Sequence, residues 1–341
     1  MKNKFQTIIG EEREEDKIID KTLRPRTLEE FVGQEKLKES LKISLEAARQ
    51  REEPVDHLLF ASPPGLGKTS LAYIIAREQR VKIRVTSGPA LQRVADLAAI
   101  LTSLEPNDIF FIDEIHRLQR PVEEALYPVM EEFGLDLILG KGPGARTFRL
   151  SISPFTLIGA TTRPSLLSSP LRDRFGFFYE LNYYELEEIE KIIRRSASLL
   201  EIELEEEALK EIARRSRFTP RIANRLLKRV RDFSQVKKRK IDKTLVEAAL
   251  ALFEIDEQGL TEIDRKILRI IIERFDGGPV GLKNLSVTLN QDLLSLEDIY
   301  EPYLLQIGFL ERTPRGRKVT REAYKYLGIK SSQLEMRNFR F

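Results

Sequence analysis

The feature that most constrains the fold is a glycine-rich loop between a short apolar segment and a helical segment. Residues 62–69 read SPPGLGKT, residues 58–60 are apolar, and residues 70–79 have helical spacing. A strand, a loop and a helix in this order are typical of a phosphate-binding P-loop. Gly65 and Gly67 would let backbone N–H groups turn toward a phosphate at the start of the helix. The loop therefore predicts a nucleotide-binding domain of the α/β class.

Two side chains of this loop have predicted roles in nucleotide binding. Lys68 would reach the β- and γ-phosphates, and the hydroxyl of Thr69 would hold Mg²⁺. Ser62 departs from the pattern, which has glycine at that position. Serine is tolerated if its φ angle is negative, since only a positive φ demands glycine. The alternative is a glycine-rich turn that binds nothing.

A second motif lies about 45 residues beyond Lys68, where residues 109–114 read IFFIDE. A continuous apolar run predicts a central parallel strand, and ligands bind beyond the carboxyl ends of such strands. Asp113 would hold Mg²⁺ and Glu114 would orient the attacking water. Alone, the two carboxylates could be solvated caps, but their spacing from the P-loop favours a nucleotide hydrolase.

Three further segments carry candidate phosphate contacts. Residues 155–163 (FTLIGATTR) end in hydroxyls, and we favour Thr162 over Thr161 as the γ-phosphate sensor, although structural threonines are common at strand ends. Arginines in residues 168–175 (SSPLRDRF) could neutralise charge on a neighbouring subunit's nucleotide, or could simply pair with Asp173. Thr219 and Pro220 suit a helix start and would place Arg221 in its first turn.

Hydrophobic periodicity divides the chain into successive regions. Apolar segments of strand length alternate with helical ones up to about residue 184, which predicts a parallel sheet. A helical region follows, and then helices precede a short hairpin, as in a winged helix. We predict a flexible tail (1–20), a large ATPase domain (21–184), a helical lid (185–256), a winged-helix domain (257–330) and a second tail (331–341).

Composition excludes several classes of protein. The chain has no cysteine and two histidines, so disulfides, zinc ribbons, thiol catalysis and multi-histidine metal sites are excluded. No apolar run is long enough to span a membrane, and the first ten residues do not resemble a secretory signal. These features predict a cytoplasmic protein. The net charge of +3 does not itself indicate nucleic acid, so the placement of charge matters.

Positive charge clusters at a turn in residues 312–318 (RTPRGRK). We expect Arg312, Arg315, Arg317 and Lys318 to be exposed at the tip of a hairpin. Arginines there suit DNA phosphates, which carry no sequence information. The alternative is a solvated basic wing. A second basic band, at Arg225, Lys228, Arg229, Arg231 and 237–240, is better interpreted as a solvated helix face.

Taken together, the motifs resemble the RuvB family. The matching segments occur in family order from about residue 23 to residue 327. They include LRP at 23–25, FVGQE at 31–35, the P-loop, FIDEIHRL at 111–118, LIGATTR at 157–163, LSSPLRDRFG at 167–176, TPRIANR at 219–225, GGPVGL at 277–282, EPYL at 301–304 and GFLERTPRGR at 308–317.

The resemblance implies a three-domain AAA+ motor that hydrolyses ATP with Mg²⁺. Such motors form hexameric rings on the duplex arms of a Holliday junction, act with RuvA, and could join RuvC in a larger complex. The implied nucleotide contacts are Leu23, Arg24, Gly65, Lys68, Thr69, Ser70, Glu131, Glu132, Phe133, Tyr184 and Arg221. Arg174 would be an arginine finger, a side chain that contacts the nucleotide of a neighbouring subunit. Arg312 and Arg317 would contact DNA.

The resemblance also identifies two departures and one partner surface. The family has glycine where this chain has Ser62 and Phe218, which leaves nucleotide affinity and lid angle open. Residues 135–150 (LDLILGKGPGARTFRL) read as a hairpin. The family binds RuvA there, and exposed Leu137, Ile138 and Leu139 would suit a partner surface, unless they belong to the core.

Two other functions remain possible from the sequence. Another AAA+ DNA machine, such as a clamp loader or an initiator, would share the P-loop, Asp113, Glu114 and Arg221, but not the RTPRGR motif. A non-catalytic DNA-binding scaffold would have a P-loop damaged at Ser62. The intact Lys68 argues against the scaffold.

Overall fold

A computed structural model describes residues 22–139 and 146–329. The two tails predicted at 1–20 and 331–341, and the turn of the predicted hairpin at 140–145, lie outside the described residues. The described chain forms two compact units, one of residues 24–183 and the other of residues 22–23 with 184–329. Each unit is described by itself below.

The first unit is an α/β domain built on a parallel sheet. In chain order its elements are α1 (Glu35–Arg51), β1 (Leu58–Ala61), α2 (Lys68–Gln79), β2 (Ile83–Ser87), α3 (Val94–Leu101), β3 (Ile109–Asp113), α4 (Arg120–Glu132), β4 (Gly134–Leu139), β5 (Arg146–Ser151), β6 (Thr156–Thr161), α5 (Ser169–Arg172) and β7 (Phe177–Glu180). The sheet order is β2-β3-β6-β1-β7, and every pairing in it is parallel. The predicted fold class is therefore confirmed for this unit.

Burial explains which strands the sequence reveals. β1 and β6 are buried at every position, and β3 is buried at all but its last, so their apolar runs are continuous. Edge strand β7 alternates between half-buried and exposed residues, and the sequence did not predict it. A central strand is covered on both faces by helices, whereas an edge strand retains polar positions.

The β4–β5 hairpin extends from the end of α4 as an antiparallel pair. Leu135 is buried, and Leu137 is half-buried against the core of the domain. Of the two alternatives for Leu137, a partner surface or the core, its contact with the domain core favours the second. Phe148, the direct partner of Leu137 across the hairpin, is 53% exposed. The side chains at 138 and 139 lie outside the description.

The second unit begins with four helices that match the predicted lid. They are α6 (Leu186–Leu199), α7 (Glu206–Arg214), α8 (Pro220–Lys237) and α9 (Lys243–Leu252). The basic band that the sequence suggested to be a solvated face is solvated only in part: residues 237–240 are exposed, whereas Arg225 and Lys228 are 6% and 5% exposed.

The rest of the second unit is a winged helix. Its elements are α10 (Glu262–Phe275), α11 (Leu282–Leu289), α12 (Leu293–Ser295), a π-helical turn (Leu296–Tyr300), α13 (Glu301–Gln306), β8 (Leu310–Thr313), β9 (Gly316–Val319) and α14 (Arg321–Tyr326). Strands β8 and β9 form the predicted antiparallel hairpin. Among the described residues, no helix combines the length and apolar character needed to cross a membrane.

A buried ion pair joins the lid to the winged helix. The guanidinium of Arg217 contacts the carboxylate of Asp264, and the two side chains are 2% and 0% exposed. Arg217 Nε also donates to Gly259 O at 2.8 Å, and its guanidinium lies 4.8 Å from the ring centre of Tyr303. Asp264 in turn caps α10 by accepting from the backbone N–H of Thr261 at 2.8 Å. The segment just before α8 is thus fixed to the winged helix.

Candidate nucleotide-binding site

The P-loop has the backbone geometry that phosphate binding requires. Gly65 and Gly67 have φ angles of 85° and 109°, which side chains disfavour. Helix α2 begins at Lys68, so the N–H groups of its first turn are directed into the loop. Ser62 is not among the described residues with a positive φ, and its N–H donates to Thr161 O at 3.1 Å. The backbone at this position therefore does not require glycine.

Lys68 is held by neutral oxygen atoms of its own loop. Its ammonium donates to Ser62 O at 2.8 Å, Ser62 Oγ at 3.0 Å and Pro63 O at 3.2 Å, and the residue is 8% exposed. These three oxygens are uncharged and belong to the loop itself. A buried cation of this kind suits an anionic phosphate. The hydroxyl at position 62, which the family pattern lacks, adds one of the three contacts.

The sheet order brings the other candidates to the same edge. β6 lies between β3 and β1, so the strand ends that carry Asp113, Thr162 and the P-loop are neighbours at the carboxyl edge. Asp113 Oδ1 accepts from the N–H of Glu114 at 2.9 Å. Hydroxyl and carboxylate oxygens are the ligands that Mg²⁺ prefers, so Thr69 and Asp113 have the correct chemistry for it.

Glu114 has a left-handed backbone and a charged neighbour. Its φ angle is 48°, an unusual value for a residue other than glycine. Its carboxylate accepts from Arg117 Nη1 at 2.8 Å, and both side chains are about half exposed. Strained backbone is common where a side chain must be aimed at a functional site. Glu114 thus lies at the carboxyl edge of the sheet, and its carboxylate is paired with Arg117.

Sequence reasoning missed two residues that shape this edge. A Cβ atom at Gly88 would lie 2.4 Å from Glu114 O, so only glycine lets β2 approach this turn. Nδ1 of His116 lies 2.9 Å from Thr161 Oγ1, which also accepts from the N–H of Arg163 at 3.0 Å. His116 belongs to the FIDEIHRL motif, but nothing in its pattern indicated this contact.

The same contact bears on the choice between the two threonines. β6 ends at Thr161, which is fully buried and bonded to His116. Thr162 follows the strand and is half-buried. The assignment of Thr162 as the γ-phosphate sensor stays a prediction. It is compatible with the hydrogen bonds of Thr161, whose hydroxyl is already bonded to His116 and Arg163.

Arg174 lies beside one of the other predicted nucleotide contacts. Its Nη2 is 3.1 Å from Glu131 Oε1, its Nη1 donates to Pro170 O at 2.6 Å, and its guanidinium lies 4.5 Å from the ring centre of Tyr127. It therefore pairs with Glu131 rather than with Asp173. Its buried Nε has no hydrogen-bond partner within the described part of the chain.

The remaining candidate residues of the α/β unit lie on α2, at the end of α4 and before α1. Glu132 pairs with Arg149 of the hairpin, and Phe133 ends α4 in a left-handed conformation. The guanidinium of Arg24 lies 5.4 Å from the ring centre of Tyr73 on α2. Ser70 is half-buried in the first turn of α2.

Three predicted contacts belong to the second unit. Leu23 O accepts from Arg195 Nη1 at 2.8 Å, and the N–H of Tyr184 donates to Phe218 O at 3.2 Å. Burial raises the pKa of the Tyr184 phenol well above its usual range. Arg221 is the second residue of α8, as predicted from its helix start.

Phe218, which stands where the family has glycine, has a left-handed backbone and packs against the winged helix. Its φ angle is 53°, and its side chain packs against the core of the winged helix. Thr219 is the N-cap of α8, but its hydroxyl donates to Arg217 O at 3.0 Å instead of capping the helix. Packing against the winged helix stabilises an aromatic residue in a conformation that favours glycine.

The predicted DNA-binding hairpin has unequal arginines. Arg315 and Lys318 are exposed, and the side chain of Arg312 is 54% exposed. The side chain of Arg317 is only 19% exposed, so the expectation that all four charges are exposed is wrong. Arg317 faces inward because it bonds to the buried carboxylate of Glu301 on α13.

Known proteins match the whole described architecture. A family model described as the Holliday junction DNA helicase RuvB P-loop domain matches residues 23–181. Models of the RuvB AAA lid domain and the RuvB C-terminal winged helix domain match residues 184–256 and 257–328. The Holliday junction branch migration complex subunit RuvB of Chloroflexus aggregans is 57% identical over 316 residues, covering 92% of this chain and 90% of the relative.

Solved structures agree with these matches. The Holliday junction branch migration motor RuvB of Thermotoga maritima is 53% identical, with a TM-score of 0.83 over 91% of this chain and 99% of that chain. A variant of the same Thermotoga protein has a TM-score of 0.84 at 53% identity, over 90% of this chain and 99% of that chain. The resemblance inferred from the motifs and the predicted fold are confirmed, and the chain belongs to the RuvB family.

Proposed function

We propose that the chain is an ATP-hydrolysing, DNA-translocating motor that promotes branch migration of Holliday junctions together with RuvA. The Chloroflexus and Thermotoga relatives are named for this process, and they match about nine-tenths of the chain. The observation that carries the proposal is the P-loop itself, in which Gly65 and Gly67 have positive φ angles and the buried ammonium of Lys68 is held inside the loop by hydrogen bonds to Ser62 and Pro63. The N–H groups of this turn and the ammonium would bind phosphate oxygens.

ATP and Mg²⁺ are the proposed ligands of the carboxyl edge. Bound Mg²⁺ would supply positive charge against the phosphate oxygens during phosphoryl transfer. Thr69 and Asp113 would hold it, and N–H groups of the Gly65–Gly67 turn and of Ser70 would bind phosphate oxygens. Glu114 would orient the attacking water once its carboxylate leaves Arg117. Thr162 would bind the γ-phosphate or the same water.

Residues outside the P-loop would complete the nucleotide contacts, in three groups. Leu23, Arg24 and Tyr184 would contact the nucleotide, and Arg221 would read its γ-phosphate. Arg174 would act in trans on a neighbouring subunit's nucleotide, with Glu131, Glu132 and Phe133 in the same neighbourhood. Besides its contact with Glu131, Arg174 bonds to Pro170 O of the preceding helix turn, and its side chain is 24% exposed.

The proposed assembly follows the family. We propose a homo-hexamer in the cytoplasm, with duplex junction arms as substrate and RuvC as a further partner of the complex. RuvA would bind the hairpin at 135–150, where Phe148 presents an apolar surface. The proposed domains are 21–184, 185–256 and 257–330, a division that the ranges of the three family models support.

The test is strand separation of a synthetic four-way junction by the full chain with its cognate RuvA, ATP and Mg²⁺. Glu114→Gln should bind ATP but lose turnover by about 10²–10⁴-fold, because the amide cannot polarise the water. Separation should disappear with turnover. Glu105→Gln is a matched control, since Glu105 is exposed and pairs only with Lys82 at 2.5 Å among the contacts described.

The outcomes separate the alternatives. Turnover by the wild type without separation would indicate another AAA+ DNA machine, of the clamp-loader or initiator type. Neither activity would favour a non-catalytic scaffold whose P-loop is damaged at Ser62. Normal turnover in Glu114→Gln would remove Glu114 from the mechanism.

A further inference from the structure

One face of α4 supports the segment that carries Arg174. Glu123, Tyr127 and Glu131 follow one another at four-residue spacing on this helix, so their side chains lie along the same face. Each of them contacts the chain between Ser168 and Arg174. Consecutive turns of α4 are thus used to hold one short segment.

The start of this segment is held by the carboxylate of Glu123. The hydroxyl of Tyr127 donates to Glu123 Oε1 at 2.8 Å, and the hydroxyl of Ser168 donates to the same oxygen. Ser168 is also the N-cap of α5, where its Oγ accepts from the N–H of Leu171 at 3.3 Å. Burial raises the pKa of the Tyr127 phenol and the charge of Glu123 adds to this, so the hydroxyl stays protonated and donates. Glu123 therefore fixes Tyr127 and the start of α5 relative to each other.

The end of the segment is held by the ring of Tyr127. The guanidinium of Arg174 lies over this ring, 4.5 Å from its centre, and an aromatic face attracts a cation within about 6 Å. Tyr127 is half-buried and packs against the core of the domain, which fixes the position of its ring. Contacts with Glu131 and with Pro170 O then hold the two terminal nitrogens of Arg174.

The two arginines of the motif LRDR differ in their surroundings. Arg172 is exposed, whereas Arg174 is half-buried and its side chain is 24% exposed. A mobile cationic side chain must be ordered before it can stabilise a transition state, whereas a preorganised one is already in place. The contacts with α4 therefore order the arginine that is proposed to act as the finger.

We propose that Tyr127 is a positioning residue for Arg174, and that Glu123 anchors Tyr127 in this role. The proposal rests on the proposed action of Arg174 on the nucleotide of a neighbouring subunit. The ring of Tyr127 holds the guanidinium at the surface in one orientation, and the hydroxyl connects the ring to the start of α5 through Glu123. Tyr127 acts only through Arg174, so its loss affects hydrolysis at the neighbouring site.

Replacing the ring should slow hydrolysis without weakening ATP binding. In the full chain with duplex DNA and Mg²⁺, Tyr127→Leu should lower kcat on the order of 10²-fold, because a small misplacement of a catalytic group costs that much. The KM for ATP should stay within about twofold of the wild type, since the P-loop of each subunit is unchanged. Tyr127→Phe keeps the ring under the guanidinium and should retain turnover within about threefold.

Mixed rings test whether Tyr127 acts through the finger. Lys68→Ala subunits lack a working P-loop but keep Tyr127 and Arg174, so they should supply fingers to the sites of Tyr127→Leu subunits. In a random equal mixture, about one site in four has both an intact P-loop and an intact neighbour, and turnover should recover to about a quarter of the wild-type rate. Misfolding of Tyr127→Leu, or damage to its own nucleotide site, would not be rescued in this way.

Matched variants control for the stability of the unit. Tyr179→Leu removes a half-buried tyrosine of β7 that stacks on Phe60, and turnover should stay within about twofold of the wild type. Glu123→Ala should lower kcat about tenfold and be rescued by the same mixing, because the anchor is lost while the ring remains. Glu124→Ala removes the adjacent carboxylate, which pairs with Arg120 at 2.9 Å, and should change nothing.

A mixture of Arg174→Ala with Lys68→Ala distinguishes failure of this inference from failure of the proposed finger. If that mixture recovers turnover and the Tyr127→Leu mixture does not, Tyr127 does not position the finger and only this inference is wrong. Wild-type kcat in Tyr127→Leu would have the same meaning. If the Arg174→Ala mixture does not recover turnover, Arg174 does not act on a neighbouring site and both proposals fall.

Discussion

The two units of the molecule hold their buried cations in opposite ways. In the α/β unit, Lys68 is surrounded by two carbonyl oxygens and one hydroxyl. In the second unit, Arg217 is paired with Asp264 and Arg317 with Glu301, and both carboxylates are almost fully buried. The two arginines are each paired with a carboxylate, whereas the three hydrogen bonds given for Lys68 are to neutral oxygens.

The difference indicates which cation is available for an external anion. Neutral oxygens solvate an ammonium without cancelling its charge, so an arriving phosphate gains the full attraction. A carboxylate cancels the charge, and separating the pair in a buried site costs several kcal/mol. Lys68, inside the P-loop, therefore suits a ligand, and Arg217 suits a structural link.

Removing Lys68 should have the largest effect on activity and a small effect on folding. Lys68→Ala should lower ATP turnover at least about 10²-fold, because a preorganised cation for the phosphates is lost. The free energy of unfolding should change by only about 1 kcal/mol, since the hydrogen bonds given for Lys68 are to neutral oxygens of its own loop. Turnover and chemical denaturation of the same preparation measure both.

A matched lysine controls for the loss of charge alone. Lys82→Ala removes an exposed lysine that pairs with Glu105, and turnover should be unchanged. If Lys68→Ala hydrolysed ATP at the normal rate, the P-loop would not be the nucleotide site. If instead Lys68→Ala unfolded the α/β unit, the hydrogen bonds of Lys68 would be needed for folding. The contrast between Lys68 and Arg217 would then fail.

Removing Arg217 should have the opposite profile, with a large effect on folding. Arg217→Met leaves Asp264 buried without its cation, which costs about 3–5 kcal/mol. Hydrogen exchange of the amides of α10 should report the loss as faster opening of the winged helix. The α/β unit should exchange at wild-type rates, because the broken pair lies wholly in the second unit.

A pair of the same lid in which the arginine is exposed, and in which the carboxylate keeps Arg215 as a second partner, provides the control for Arg217. Arg214 is 58% exposed and lies 3.8 Å from Glu211, so Arg214→Met should cost no more than about 1 kcal/mol. If both substitutions slowed or accelerated exchange equally, burial of the pair would not matter. The distinction between a buried arginine paired with a carboxylate and other cations of the molecule would then lose its energetic basis.

The position of the candidate nucleotide site at the carboxyl edge of the sheet was largely predictable because its motifs are local in sequence. The P-loop and the IFFIDE strand each combine an apolar run with the functional residues that follow it directly. Parallel strands bring such ends to one edge, so Lys68, Asp113 and Thr162 could be placed together without coordinates. The parallel sheet follows from the same alternation of strands and helices.

Features that depend on distant contacts were not predictable. Arg317 was expected at an exposed tip, because nothing near it in sequence shows that Glu301 lies beneath it. For Leu137 the sequence left a partner surface and the core as alternatives, and only its contact with the domain core favours the second. Gly88 and His116 act through close approach and a long-range hydrogen bond, which leave no periodic signal.

The two units should also respond differently to acid, through one titratable group in each. His57 is buried in the α/β unit, where its Nδ1 accepts from the N–H of Leu157 at 2.9 Å and its Nε2 lies 3.1 Å from Met130 O. These contacts suit a neutral ring, with the proton on Nε2. Burial lowers the pKa of His57 from 6.5, although Met130 O and the charge of Asp56 partly oppose this.

The sign of each effect follows from which state binds the proton. Because the pKa of His57 is lowered by folding, unfolding takes up a proton below about pH 6.5, and the α/β unit loses stability as the pH falls from there. The pKa of Glu301 is lowered from 4.5, so its contribution to the second unit persists above that value and is lost only in stronger acid.

Hydrogen exchange at pH 7 and at about pH 5.5, with intrinsic rates corrected, should therefore show a smaller effect than either substitution above. Opening of β6 should become easier at the lower pH, while opening of α13 stays unchanged. His57→Asn keeps an acceptor near Leu157 and removes the titrating ring, so the part of the pH response due to His57 should disappear from β6. A response of β6 that survived in full would assign it to His116, which contacts the same strand through Thr161. An equal response in α13 would show that acid destabilises both units together. The different titratable groups of the two units would then not determine the pH dependence of hydrogen exchange.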